Sequence, residues 1–533
     1  MSTYYVLDKK PKSKFNVYTA DQVFDRVGSL NKFQLIAALM CVISYSFDGY
    51  TVYTIALLTL MPDFRCVKNG EESKCTANIT CQTTFNNFLK NGENSSIDPT
   101  QNGYYINWDS QTSLHNWVEP LNLRCATQYQ IGFFGSVFFM GLGIGTLTLA
   151  HLGDQYGRIR LLRIGLFLSL VAFGCIIFVQ VSFYFTYVFL FFLGFLSPIR
   201  LNLSFIYGSE VFKEQHASIM GSLSLCMDSF TMIIASVYFK YISKDWSYLY
   251  YFFFSICCIP LIISYFMPES PRYLLQKRLF NDARASFNKI AQINRKQPLS
   301  TNDKFWSEIQ VDKLDVSNKN NTLSTIAYSD STRPAKGINQ SALSDVLSVK
   351  KYQINYGALL LAWCASSYSY YMIGFYLKYV PGDIYQNYIV SAIAEAIACQ
   401  VAGPLAIKYG SSKTMTASFI LGGTFGLLLS FIDEKNSIHI ISSLLIAKFG
   451  VSTAISLCYV LTTFYFPILH SSKVFSYLCA KGKFFAMLAP LVAEIQGHVP
   501  LISMAIACLL SSMSAFLLEK HHEDEDDDYD HEK

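Results

Sequence analysis

The stretch AHLGDQYGRIR, residues 150–160, decides the architecture. It is a short polar island between two apolar runs, 129–151 and 161–181, each long enough to cross a bilayer, which takes about 20 residues. An acid (Asp154), a turn glycine (Gly157) and two arginines (Arg158 and Arg160) stand where two spans meet in a tight loop. Such a cluster serves either as a charge latch across helix ends, held in one state and released in another, or as a basic loop that fixes orientation.

Outward from this island the pattern repeats. Apolar runs lie near 36–61, 129–151, 161–181, 183–206, 217–239 and 247–267. After a polar stretch they resume near 353–377, 384–407, 414–432, 437–461, 473–494 and 500–518. Across the 533 residues 52% are hydrophobic and only 15% charged, well under the quarter usual for soluble proteins. The mean hydropathy is +0.28. The expected fold is an all-α membrane protein with twelve transmembrane helices in two six-helix bundles. The segments are a cytoplasmic N-terminal part, 1–35, a first bundle, 36–267, a cytoplasmic linker, 268–352, a second bundle, 353–518, and an acidic cytoplasmic tail, 519–533. The linker opens with PRYLLQKRLFNDARASFNKIAQI, which reads as a pair of short surface helices.

Within the first bundle a polar loop, 63–128, carries Cys66, Cys75, Cys81 and Cys125. Four cysteines in one polar loop suggest two disulfides facing an oxidising compartment, with the pairing open. The other ten cysteines sit in apolar runs as small hydrophobes. Sequons at Asn78 and Asn94 point the same loop outward. Basic residues agree: Lys9, Lys10, Lys12 and Lys14, then Arg158, Arg160 and Arg163, then Arg272, Lys277 and Arg278 share one side if both termini are cytoplasmic. The first 30 residues are polar, so no cleavable signal is expected. The plasma membrane is the expected location.

The net charge of +4 is spread along the chain, and no G-x-x-x-x-G-K-[ST] loop is present. No nucleic acid, nucleotide, metal or other cofactor is expected as partner, and no catalytic constellation stands out. The expected partners are the lipid bilayer and a small organic ion.

GDQYGRIR, PESPRYLL (268–275), ADQVFDRVGSLNKFQ (20–34), MPDFRC (61–66) and NWVEPLNLRC (116–125) carry a resemblance. Nearly the whole chain resembles the major facilitator superfamily, and within it the organic cation, organic anion and carnitine transporters. The resemblance implies alternating access and a midplane site between the two halves. Gating residues are then Asp154, Gly157, Arg158, Arg160, Glu210, Glu269 and Arg272, with Glu269 and Arg272 able to pair. The chain departs from the pattern in its second half. AIKYGSSKT (406–414) keeps Gly410 but has Lys408 and serines where acid and arginines are usual. Leu190 falls where span four usually has arginine, and Thr463 where span ten usually has an acid.

Ionisable residues inside the runs are the candidate substrate contacts. They are Asp48, Asp228, Arg200, Glu395, Lys448 and Lys483, with Tyr370 and Tyr371 among the aromatics of span seven. Asp48 is a candidate proton-coupling carboxylate or ammonium partner. In SYLCAKGKFFAMLAP (476–490) about 11 residues separate Lys483 from Glu494, too few to cross alone, so Lys483 lies near the middle of its span. Lys481 is about 200° away around the helix, so only one of the two faces the pathway. Lys483 matches the family position that holds arginine in anion and carnitine carriers and aspartate in cation carriers. The reading is a carrier favouring organic anions or zwitterions. The alternative is an organic cation carrier with Lys483 neutralised by an acid such as Asp228. From another class stands a transporter-like receptor or scaffold.

Overall fold

The computed structural model describes residues 16–68, 71–74, 103–149, 152–300, 303–306, 308–309, 349–432, 436–466, 468–495 and 497–518. Twelve helices stand at the twelve apolar runs. The first six are Lys32–Leu58, Gln128–Leu149, Arg158–Phe178, Phe183–Val211, Glu214–Val237 and Trp246–Phe266. The second six are Lys350–Tyr376, Ile384–Tyr409, Ser411–Leu429, Ser437–Phe464, Ile468–Ala486 (continued by Leu488–Ala493) and Val499–Ala515. Among the described residues eight are long and apolar enough to cross a membrane, and Ser229–Ile242 and Val499–Ala515 are shorter apolar helices. The seventh is more polar because it carries Ser366, Ser367 and Ser369, all buried, between its aromatics.

Each half is a bundle around its fourth or tenth helix. The fourth packs on the first, second, third and fifth, and the tenth on the seventh, eighth, ninth and eleventh. The halves meet where the second span packs on the eleventh and the fifth on the eighth. Small residues permit this approach. A Cβ on Gly132 would lie 2.7 Å from the carbonyl oxygen of Pro490, and one on Gly135 would lie 2.6 Å from the Pro490 and Phe375 side chains.

The two ends of the bundle differ. At one end the loop after the first span forms a three-stranded antiparallel sheet, Glu71–Lys74, Phe64–Lys68 and Gly103–Ile106, in that order. The same loop then turns inward. Trp117 is buried between Phe134, Trp246 and Tyr250, and the Asn116 amide donates to the Leu57 and Leu60 carbonyls that end the first span. At the other, linker end, helices Ala20–Val27, Pro271–Gln276 and Phe280–Asn294 form an apolar cluster with the ends of spans one, three and four. The two helices expected after span six are present, and they are packed rather than surface-bound. Strand Asn16–Tyr18 pairs in parallel with Asp303–Phe305. Asn294 ties the unit together: it accepts from the Phe33 amide and donates to the Val27 carbonyl and the Gln34 side chain.

Candidate functional site

At mid-membrane five side chains from five spans converge. Glu395 of span eight accepts from the hydroxyls of Tyr370 (span seven, 2.7 Å) and Ser229 (span five, 2.8 Å). Lys448 of span ten stands 2.9 Å from the other Glu395 oxygen and 3.7 Å from the centre of the Tyr370 ring. Because the Tyr370 proton goes to Glu395, the Tyr53 hydroxyl of span one is the donor in its short contact with Tyr370. Glu395 and Lys448 are both essentially buried, and a buried charge needs its partner. The cluster joins Tyr53 and Ser229 of the first half to Tyr370, Glu395 and Lys448 of the second. The sequence showed Glu395 and Lys448 singly, and nothing local to either position paired them.

Beside this cluster lies Lys483 of span eleven, buried at 5% exposure. Its amine donates to the Tyr371 hydroxyl at 3.2 Å, with Tyr459 and Cys479 as further neighbours. Among the described residues no carboxylate pairs with it. The other deeply buried cations all have one: Arg200 has Asp48, Lys378 has Glu494, and Lys448 has Glu395. The Tyr371 ring lies 4.3 Å from that of Phe139 of span two, with the planes tilted by 53°, so the surroundings of Lys483 touch the opposite half. Lys481 points elsewhere, as the helical geometry requires, and donates to Tyr356.

Asp48, the candidate coupling carboxylate, is engaged by an arginine. The first span breaks at Phe47 and Asp48, between helices Lys32–Ser46 and Gly49–Leu58. There Arg200 of span four reaches Asp48 at 2.5 Å, Ser197 donates to its other oxygen, and the Phe47 ring lies 4.2 Å from the guanidinium carbon. The pair is a tie within the first half, and Arg200, ten residues beyond Leu190, supplies a span-four arginine. Asp228 lies on the fifth helix, and its side chain is outside the described residues.

The cysteine-loop end holds contacts that sequence reasoning missed. Lys240 of the first half meets Asp383 of the second at 2.5 Å. Lys378 donates to Glu494 at 2.6 Å and to Thr59, across the halves, at 3.3 Å. The Tyr379 hydroxyl donates to the same Glu494, and burial beside that carboxylate pushes its pKa up and keeps the phenol a donor. The Tyr385 hydroxyl donates to the Gln111 carbonyl of the loop. Glu494 had served only as a marker of where span eleven ends. Its partner is 116 residues away in sequence, beyond any local pattern.

At the linker end Asp154, Gly157, Arg158, Glu210 and Glu269 come together, from the first bundle and the start of the linker. Arg158 contacts Asp154 at 2.6 Å and Glu210 at 3.3 Å, under the Tyr273 ring. Glu269 does not pair with Arg272. It accepts from the Arg158, Ile159 and Ser270 amides at 2.8, 3.1 and 3.0 Å, because the free N–H groups at the start of span three attract an acid. Arg272 instead meets Asp21 of the N-terminal segment at 2.5 Å. Gly157 has φ 99°, and a Cβ there would lie 2.5 Å from a Glu269 oxygen. Arg160 is exposed.

In the loop, Cys66 and Cys125 are each engaged in a disulfide. Cys75, Cys81 and the sequon residues Asn78 and Asn94 lie outside the described residues.

The family model of the Major Facilitator Superfamily matches residues 37–467. Organic cation transporter 1 of Caenorhabditis elegans is 22% identical over 93% of this chain and 85% of its own. Organic anion transporter 3 of Mus musculus is 22% identical over 94% of this chain and 91% of its own. Among solved structures, the inward-open xylose transporter XylE from E. coli superposes with TM-score 0.59 at 14% identity, covering 92% of this chain and 97% of that one.

Proposed function

This chain belongs to the major facilitator superfamily, and we propose that it is a plasma-membrane carrier that moves small organic anions or zwitterions by alternating access. One observation carries the charge preference. Lys483 is buried at the meeting of spans seven, ten and eleven with hydroxyls and rings around it and, among the described residues, no acid. An uncompensated ammonium in a dry site costs free energy that an incoming carboxylate or sulfate relieves. Relatives named for cations and for anions are equally distant, so the substrate sign rests on the site and not on the likeness.

For a zwitterion the cationic end would rest against the sides of the Tyr370 and Tyr371 rings that Lys448 and Lys483 do not cover, since aromatic faces attract quaternary ammonium. Glu395 and Asp48 are engaged by Lys448 and Arg200. Among the described residues a cation carrier would need one of these acids released, which favours the anion reading; Asp228, the acid of the cation reading, has its side chain outside them. In this reading the cysteine loop faces outside, and the Lys240–Asp383 and Lys378–Thr59 contacts close that side. The test is competitive uptake with matched anions, cations and betaines, in the wild type and in Lys483→Ala. Loss of anion uptake at unchanged surface level is expected. Unchanged anion uptake would remove Lys483 from the site, and no accumulation of any substrate would favour a receptor or scaffold.

A further inference from the structure

Lys481 belongs to a different surface. It lies on an exposed stripe of span eleven with Tyr477, Phe485 and Leu488, which are 45%, 41% and 38% exposed. Large apolar side chains uncovered along a spanning helix meet lipid tails. Phe485 packs on Tyr368, whose hydroxyl bonds Ser503 of span twelve, so the stripe faces the groove between spans eleven and twelve, floored by span seven. The fifth span flanks the first half as the eleventh flanks the second. Among the described residues its exposed stripe, Met227, Phe230, Ile234 and Val237, is apolar. A lysine on such a stripe therefore needs a reason.

The local geometry supplies one. The Lys481 amine donates to the Tyr356 hydroxyl of span seven at 2.9 Å and lies 5.1 Å from the ring centre. Both spans start at the linker end, and helical side chains lean toward their N-terminus, so both groups lean to that membrane surface. Tyr356 is six residues into its helix, about 9 Å from Lys350, and Lys481 is eight residues, about 12 Å, past Lys473 at the start of its span. The lysine stem leans back toward that end and brings the amine to the depth of the Tyr356 hydroxyl, below the headgroup layer but within reach of a lipid phosphate drawn into the groove. Lys350 and Lys351 at the start of span seven and Lys473 in the first turns of span eleven add positive charge at the groove mouth. Among the described residues no carboxylate pairs with Lys481.

We propose that this groove binds the phosphate of an anionic phospholipid from the linker-end leaflet, with Lys481 and the Tyr356 hydroxyl as its donors. A charged phosphate satisfies the amine and the hydroxyl together, and the surrounding lysines favour an anionic over a zwitterionic headgroup.

The full chain is placed in nanodiscs of phosphatidylcholine alone or with about one lipid in five replaced by phosphatidylserine, and its thermal midpoint is read. The wild type is expected to be stabilised by phosphatidylserine. Lys481→Gln should lose most of that gain and Lys481→Arg should keep it. Tyr356→Phe, which retains the charge, should lose part of it. An equal midpoint for the wild type in both lipids overturns the proposal. So does a gain undiminished in Lys481→Gln or, should that variant not fold, in Tyr356→Phe. So does a gain reproduced by inorganic phosphate in phosphatidylcholine alone. Loss of organic-anion uptake by Lys481→Gln in pure phosphatidylcholine, where no anionic lipid is present, would assign the lysine to the transport path instead.

Discussion

The turn at Gly157 and the turn at Gly410 occupy matching places in the two halves and share a backbone, with φ 99° and 92°. Around Gly157 the nearest atoms within 4 Å of where a Cβ would lie belong to Glu269. Glu269 fills the space a Cβ would take and caps span three, while Arg158 gathers Asp154 and Glu210. Around Gly410 there is nothing within 4 Å of where a Cβ would lie. Its neighbourhood is held by hydroxyls: Ser412 donates to the Ala515 carbonyl and Thr414 to the Gly410 carbonyl, both at 2.8 Å. The same kink is thus kept by two economies, one electrostatic and one local. The first half is tied also to its N-terminal segment, through Arg272 and Asp21.

The sharpest way to break this contrast is Arg158→Ala. It strands Glu210, which is only 12% exposed, and removing one partner of a buried pair costs about 3–5 kcal/mol. A large drop in the thermal midpoint of purified protein is expected, with uptake lost. Gly157→Ala comes next. It forces alanine into a region reserved for glycine, a strain of about 1–3 kcal/mol, and also displaces Glu269 from three amides. Gly410→Ala carries the backbone strain alone, so its midpoint should fall less than that of Gly157→Ala. Equal losses would show that the charge cluster adds nothing at Gly157. Lys408→Ala should be the mildest, within about 0.5 kcal/mol, because its amine rests only over the Tyr409 ring.

The positions in this contrast were legible in the sequence, but not their partners. Apolar runs of bilayer length placed the twelve helices, and a glycine beside charges marked the first turn. The loss of acid and arginine near Gly410 foretold its bare surroundings. Glu269 was expected to pair with Arg272, three residues on, because local spacing is all a sequence offers. The amides of span three, more than a hundred residues upstream, outcompete that partner. Asp48, Arg200, Glu395 and Lys448 stood out singly as charges in apolar runs. Which charges neutralise which depends on helix packing between distant segments, and so does the absence of a carboxylate beside Lys483 among the described residues.

That absence has an electrical consequence. Among the described residues the buried pairs Asp48–Arg200, Glu395–Lys448 and Lys378–Glu494 each sum to zero, so on the anion reading proposed above Lys483 gives the empty carrier one positive charge that a bound anion would cancel. A unit charge crossing the whole field experiences about 2.3 kcal/mol per 100 mV. Return of the empty site should therefore be voltage-sensitive while the loaded step is not. Its signature would be a transient current in the absence of substrate, which Lys483→Ala abolishes and saturating organic anion suppresses.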